Sequence, residues 1–321
     1  MPQQDRPLSA ERAARDWASR VTSGAGLSDG RKIGVVHLAR AANGTEPLRS
    51  FLDSYRSHSA GIDHDLIIVL KGFQPPLSSE YEQILNGLRH ERRFMPDRGL
   101  DLDIYFHIAR TTHQDVLCFL NSHSVILAHG WLANLHRALL QDGVGLVGAT
   151  GSCGSLRGYE NPVSSVRRPA WKRSLLRWFP WLKTVARIVR SGRDRRWRAF
   201  DPFPNCHVRT NSFMLRRETA LRVHFRPTRT KFDAWLVESG RHGLTRQILE
   251  MGRRSLVVDR DGRTYEVDRW YESNTFWRLN QEKLMVADNQ SRAYEVADAE
   301  ERERLSIFAW GPHANPGSPN P

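Results

Sequence analysis

The stretch Asp115-Val-Leu-Cys-Phe-Leu120, followed at once by Asn121-Ser122-His123-Ser124, decides the fold. Five apolar residues in a row, with no polar residue at alternate positions, predict a strand covered on both faces. The polar tetrad that ends the run predicts a loop at the strand's carboxyl end. Trp131 to Leu140 then carries helical spacing, and Val144-Gly-Leu-Val-Gly-Ala149 reads as the next strand. Working back, the same alternation recurs. Lys32 to Leu38 reads as a strand and Glu46 to His58 as a helix through Leu48, Phe51, Leu52 and Tyr55. Asp65 to Leu70 reads as a strand, Leu77 to Arg89 as a helix, Glu91 to Met95 as a short strand and Asp101 to Thr112 as a helix. Strand and helix alternating from residue 32 to 150 predict an α/β fold: a mostly parallel central sheet with helices on both faces. Ligands of such sheets bind at the carboxyl ends of the strands. The loops after Leu38, Leu70, Met95 and Leu120 are therefore the first candidates for a site.

The second half is less regular. Phe213 to Arg216 and Ser255 to Asp259 read as strands, and Leu244 to Gly252 as a helix closed by its glycine. Residues 1–30 read as an N-terminal arm, 31–310 as the body and 311–321, rich in Pro, Gly and Asn, as a disordered tail.

The net charge of +13 is local: Asn161 to Phe200 holds twelve Lys or Arg and one acid, Asp194, so +11 of it sits there. A basic stripe of that kind predicts a local partner, not a nucleic-acid-binding fold. Within an insertion spanning 155–200, residues 167–198 interleave Trp171, Trp178, Trp181 and Trp197 with the cations. Leu182, Val185, Ile188 and Val189 fall near one helical face, and Lys183, Arg187 and Arg190 on the other. That pattern predicts a segment lying on an anionic membrane surface; the alternative is a helical pair packed on the body with solvated arginines. No apolar run approaches the ~20 residues that cross a bilayer. Cys118, Cys153 and Cys206 are odd in number and far apart, which argues against a disulfide framework and suits a reducing compartment. The expected location is cytoplasmic, peripheral at the inner face of the membrane.

Four stretches could carry chemistry. Asn121 and His123, one residue apart at a strand end, could point at one bound ion, or Asn121 could simply form a turn. In Pro96-Asp97-Arg98-Gly99-Leu100-Asp101 an acid could contact a ribose or base, or cap the following helix. Phe203-Pro-Asn-Cys-His207-Val-Arg209-Thr-Asn211 could hold a phosphate or sugar hydroxyls, or be a structural loop. Phe232 to Gly240 sets Glu238 among apolar and aromatic residues, where a carboxylate can act as a general base; capping or ion pairing is the plainer role. Asn289, Arg292 and Tyr294 form a late polar cluster with no role readable from sequence.

As a set, the run from Asp115 through Gly130-Trp131-Leu132 resembles the central strand and DxD region of GT-A-fold, family-2-like bacterial glycosyltransferases. Val144 to Gly148 looks like their next strand. The segment from His207 to Arg216-Arg217-Glu218 is similar to their acceptor-side strand. Glu238-Ser239-Gly240 falls where they carry the catalytic acid. The branch most similar makes polysaccharides, rhamnan-synthesis-like proteins among them, and the resemblance covers about residues 32 to 290. It implies inverting transfer from a nucleotide-sugar donor to a saccharide or lipid-linked acceptor, with Glu238 as base. It places donor contacts on Ala39 and Arg40, on Lys71, on Asp97, Gly99 and Asp101, and on Asn121, Ser122 and His123. His207, Arg209, Asn211 and Trp131 would meet the acceptor or diphosphate. A divalent metal, Mn or Mg, is implied with His123 as ligand. The sequence departs from the pattern in two places: Asn121-Ser-His123 has no carboxylate, and the second strand ends in Lys71 where the family carries Asp. Two other readings stay open: a non-catalytic sugar- or nucleotide-binding relic of the fold, and a basic nucleic-acid-binding protein.

Overall fold

The computed structural model describes residues 30–157 and 196–314. In chain order the first half runs β1 (Ile33–Arg40), α1 (Glu46–Ser57), β2 (Asp65–Lys71), α2 (Ser79–Leu85), β3 (Glu91–Met95) and α3 (Asp101–Thr111). It continues with β4 (Val116–Leu120), β5 (Val125–Ile126), α4 (Trp131–Leu139), β6 (Val144–Gly148) and β7 (Gly151–Ser152). The second half has β8 (His207–Val208), β9 (Ser212–Arg216), α5 (Arg217–Arg222), α6 (Lys231–Ser239), α7 (Leu244–Glu250), β10 (Arg254–Val258) and β11 (Thr264–Tyr265). It closes with β12 (Val286–Ala287), α8 (Asn289–Val296), α9 (Ala299–Trp310) and a 3-10 turn over Gly311–Ala314.

Eight strands form one sheet in the order β11-β10-β6-β9-β4-β1-β2-β3. β1, β2, β3 and β4 run parallel, and so do β6 and β10. β9 lies antiparallel between β4 and β6. Its amino end therefore sits beside the carboxyl end of β4, with Leu120 opposite Ser212. Strands with continuous apolar runs, β1, β2 and β4, are buried along their length, while Glu91-Arg-Arg-Phe-Met95 alternates in exposure, as a charged edge strand should.

Side chains alternate between two cores. On one face Val35, Ile68, Cys118 and Met214 pack on Phe51 and Leu52 of α1 and on Trp131, Leu132 and Leu135 of α4. On the other, Val36, Val69, Phe119 and Phe213 pack on Leu102, Tyr105 and Phe106 of α3, with Val237 of α6 and Leu244 and Ile248 of α7. The expected α/β architecture is what the chain adopts.

Three expectations need correction. Cys153 and Cys206 form a disulfide. The antiparallel pairing of β7 with β8 sets Ser152 opposite His207, so the neighbouring cysteines meet where the inserted segment leaves and returns. The separation of 53 residues hides this in the sequence, and the cysteine argument for a reducing compartment falls with it. The tail is not disordered from 311: Gly311 and Ala314 are buried, and a side chain at Gly311 would run into the Phe203 ring. The ends of the insertion belong to the body, since Ser155 and Phe200 are fully buried. Most of the basic stretch 167–198 lies outside the described residues. Of its tryptophans only Trp197 is described, and it packs against Phe200, Phe232 and Trp235. Among the described residues no helix is long and apolar enough to cross a membrane.

Candidate functional site

The carboxyl ends of β1, β2 and β3 are level, because Arg40 pairs with Lys71 and Lys71 with Met95. Alternation turns Arg40 and Lys71 toward the face that carries α3. There Lys71 Nζ donates to the Gly99 carbonyl at 2.6 Å and lies 3.6 Å from Asp97. Arg40 Nη2 lies 3.7 Å from the same carboxylate. Gly99 takes a positive φ of 67°, which lets its carbonyl turn back over the lysine. Lys71 is 1% exposed whereas Asp97 is 54% exposed, so the acid forms the solvent side of the cluster. Asp101, at the first turn of α3, completes it. Burial pushes its carboxyl up, while Arg40, Lys71 and His123 pull it back down.

Neither Asp97 nor Asp101 caps α3. That task falls to Asp103, whose carboxylate accepts from Leu100 N at 3.2 Å and from Thr228 N at 3.0 Å. The second contact fastens the Thr228 loop, which leads into α6, to the rim of the cluster.

The fourth tip is a turn. Asn121 Oδ1 accepts from His123 N at 3.0 Å and from Ser124 Oγ at 3.1 Å. The turn-forming role of Asn121 is thus the one realised, and it uses the oxygen a metal would need. Ser122 is buried. Among the described residues no group of three or more His, Cys, Asp or Glu could hold a metal ion. The donor set at Asn121, Ser122 and His123 does not fit a divalent cation, which favours several carboxylate oxygens.

The turn is joined to the second part of the site through β9. Asn121 N donates to Asn211 O at 3.0 Å. One residue earlier, Thr210 donates to Glu238 Oε1, from N at 2.8 Å and from Oγ1 at 3.3 Å. Glu238 is placed by both ends of α6. At the start, Thr230 Oγ1 accepts from Asp233 N at 3.3 Å and the Asp233 carboxylate accepts from Thr230 N at 2.7 Å, a reciprocal cap. At the end, Ser239 O accepts from Asn205 Nδ2 at 2.7 Å. Glu238 therefore lies at the carboxyl end of β4, and α6 packs on the same face of the sheet as α3.

Glu238 and His207 line a cleft of about 260 Å³, together with Pro204, Asn205, Thr245 and Arg246. His207 Nδ1 lies 2.7 Å from the Asn205 carbonyl. A carbonyl only accepts, so Nδ1 carries the proton and Nε2 holds the lone pair. Burial pushes the imidazole pKa down, the Glu238 carboxylate and the Asn205 carbonyl raise it in part, and Arg209 lowers it; the net direction is down. The ring is neutral near pH 7. Arg246 is matched by Asp201, 2.7 Å away, which also pairs with Arg241 at 3.0 Å.

Four sequence-predicted site residues are directed elsewhere. Trp131 is fully buried in the core of α1 and α4, because the same spacing that makes α4 amphipathic carries its ring inward; no acceptor reaches it. Ala39 packs into that core too, on the face opposite Arg40, leaving only its backbone at the tip. Arg209 is 6% exposed. It pairs with Asp288 at 2.7 Å and stacks 3.8 Å from the Phe276 centroid, so its charge is spent inside the protein. Asn211 accepts from Thr150 Oγ1 at 2.6 Å and is buried. Of the late polar cluster, Asn289 and Arg292 open α8, which Asp288 caps at Gln290 N and Ser291 N; Tyr294 is buried. Residues that sequence reading missed are Thr210, which orients the glutamate, Asn205, which orients both the histidine and α6, and Thr228. Only the Thr-x-x-Asp spacing of Thr230 and Asp233 was a local signal for where α6 begins.

No family model matches the chain and no curated protein matches it. Among solved structures, it is similar to glucosyl-3-phosphoglycerate synthase from Mycobacterium tuberculosis in complex with Mn2+, uridine diphosphate and phosphoglyceric acid. The two are 20% identical with a TM-score of 0.36, over 65% of this chain and 63% of that one. It is also similar to a mannosyltransferase from Pyrobaculum calidifontis in complex with GDP-Man and Mn2+, at 14% identity and a TM-score of 0.43, over 82% of this chain and 67% of that one. The chain spans just under two thirds of the length of the synthase. At these scores the likeness carries no chemistry to this protein, which must be read from its own site.

Proposed function

We propose that this chain is a glycosyltransferase that moves a sugar from a nucleotide-sugar donor to a saccharide or lipid-linked acceptor. One observation carries the reading: Arg40, Lys71, Asp97 and Asp101 gather at the carboxyl ends of parallel strands, and Glu238 is bonded to Thr210 beside the carboxyl end of β4. The donor nucleotide lies on the Arg40–Asp97 side and the acceptor in the cleft. Glu238 Oε1 is held by Thr210, which leaves Oε2 to take the proton of an acceptor hydroxyl. The freed oxygen attacks the anomeric carbon from the side opposite the nucleotide, so configuration inverts. Negative charge building on the leaving diphosphate is met by Arg40, and the buried Lys71 adds its field from behind the Asp97 cluster in a partly desolvated site. No step runs through a metal, since the residues at 121 to 123 do not fit one.

The pathway consistent with this reading is polysaccharide synthesis, with residues 167–198 bringing the enzyme to an anionic membrane surface where a lipid-linked acceptor is presented. No nucleic-acid partner is part of it. Flotation with anionic liposomes, comparing the intact protein with a 167–198 deletion, tests the surface role; equal flotation of the two removes it.

A thermal-shift screen of UDP-, GDP-, dTDP- and CMP-sugars, with and without manganese, tests the main reading. A ligand bound by the folded state alone raises the melting temperature. One nucleotide class should stabilise the protein, with a shift that manganese leaves unchanged; no shift with any of the four sinks the proposal. The missing carboxylates at Asn121 and His123 favour a second reading, a binding relic of the fold. It predicts the same shift with no nucleotide released when acceptors are added.

A further inference from the structure

We infer that His207 is a specificity-determining residue which, with Glu238, admits an uncharged acceptor presenting two neighbouring hydroxyl groups and turns away acidic acceptors. The inference rests on the proposed transfer reaction only for calling the occupant an acceptor; the complementarity belongs to the cleft itself.

The donors that flank Glu238 and His207 find partners within the protein. Asn205 Nδ2 gives its hydrogen bond to Ser239 O at 2.7 Å. Arg246 is paired with Asp201 at 2.7 Å, and Arg209 with Asp288 at 2.7 Å on the inner side. Val208 N is turned inward onto Thr245 Oγ1 at 2.9 Å. What Glu238 and His207 themselves offer are lone pairs. Glu238 is an acceptor-only group, with Oε1 engaged by Thr210 and Oε2 unengaged among the described residues. His207 has its one proton on Nδ1, committed to Asn205 O at 2.7 Å, so Nε2 can only accept. Two acceptor-only groups in one cleft are satisfied by a ligand that brings two protons. Adjacent sugar hydroxyls do that, one to Glu238 Oε2 and one to His207 Nε2. A carboxylate has no proton to give near neutral pH, a phosphate monoester carries only a fraction of one, and either would set its charge against Glu238, a juxtaposition that disfavours it in a partly buried site. Pro204, Leu249 and Val267 complete the lining with apolar surface suited to the C–H face of a sugar ring.

The test is ligand-observed NMR on the intact protein at pH 7, with UDP or whichever nucleotide the thermal screen selects. The probes are methyl α-mannoside, methyl α-glucoside, glucuronic acid and phosphoglyceric acid at equal concentration. At least one neutral glycoside should bind and neither acid should. His207→Phe keeps the ring and removes the lone pair; it should weaken the glycoside about threefold to tenfold, the size of one neutral hydrogen bond. Glu238→Gln, which still accepts from Thr210, should weaken the glycoside and let phosphoglyceric acid bind. Unchanged melting curves for both variants show that folding is not the cause. Binding of either acid to the unaltered protein, failure of both glycosides, or a glycoside affinity indifferent to His207→Phe overturns the inference. If no nucleotide shifts the melting temperature while the probes behave as stated, the transfer reaction fails and the cleft's selectivity stands.

Discussion

Glu238 Oε1 sits 2.8 Å from the backbone nitrogen of Thr210, the residue that leads into the antiparallel strand between β4 and β6. That bond ties the last turn of α6 to the start of the strand that runs against both its neighbours, β4 and β6. It fixes which carboxylate oxygen faces the cleft.

The two roles of Glu238, structural and chemical, can be separated. Glu238→Gln keeps an acceptor for Thr210 and should leave the melting temperature almost unchanged, yet cut nucleotide release with acceptor by about 10²–10⁴-fold, the usual contribution of a general base. Glu238→Ala also strands Thr210 N and should cost about 1–3 kcal/mol of stability besides. A Gln variant as active as the parent would remove Glu238 as base.

Arg40 is the more exposed cation of the strand-tip cluster, and its Nε is buried with no partner among the described residues. Its ion pair with Asp97 is half exposed, so Arg40→Ala should change stability by no more than about 1 kcal/mol. Nucleotide affinity, measured by calorimetric titration, should fall about tenfold or more, as expected when a charge-assisted hydrogen bond to a phosphate is lost. Unaltered affinity would move the donor away from this cluster.

His37 is wholly buried in β1, stacked on Phe51 with ring centroids 3.6 Å apart, and both its ring nitrogens lack a partner among the described residues. Burial, and the nearby His123, push its pKa down to about 3. The folded state thus holds the neutral ring, while the unfolded chain takes up a proton near its ordinary value of about 6.5. The stability this group permits is complete above that value and is lost progressively as pH falls from about 6.5 toward 3. His37→Phe should raise the melting temperature by about 2–6 °C by removing unsatisfied polar atoms, and flatten the pH dependence of melting over that window. A lower melting temperature at pH 7 would mean the nitrogens are satisfied.

Asp288 and Arg209 are buried to 2% and 7% side-chain exposure. Burial works to raise the Asp288 pKa, but the Arg209 guanidinium and the bonds from Ser291 outweigh it and hold the carboxyl below its ordinary value. Its stabilisation is therefore present above about pH 4 and disappears as pH drops further, through the folded-state value. Asp288→Asn leaves Arg209 charged and unpaired in the interior and should cost about 3–5 kcal/mol in urea unfolding. A cost under about 1 kcal/mol would show that the arginine escapes to solvent.

The first half of the fold was legible because each of its elements is spelled locally. Asp65 to Lys71 and Val116 to Leu120 are apolar runs bounded by polar turns, and the Leu48, Phe51, Leu52 spacing of α1 is its buried face. What escaped is what depends on pairing across long separations. Nothing near Phe213 tells that β9 reverses direction between β4 and β6. Nothing near Cys153 tells that Cys206 returns to it. At the site, Lys71, Asp97 and Asp101 were read from their places at strand ends, and they do meet. The resemblance gave Trp131 to the acceptor, whereas its spacing to Leu135 and Leu139 on α4 puts it in the core. Arg209 shows the limit of reading charge: a guanidinium in a promising loop belongs to whichever carboxylate the fold brings to it, and Asp288 is 79 residues away in sequence.

The Cys153–Cys206 bridge has a topological result. Cutting the backbone anywhere between Gly154 and Asn205 would yield two polypeptides that remain one covalent molecule, migrating together on a gel until a reductant is added. Exchange of residues 158–195 alone would leave in place both that bridge and the packing of Trp197 and Phe200 on the helix that carries Glu238.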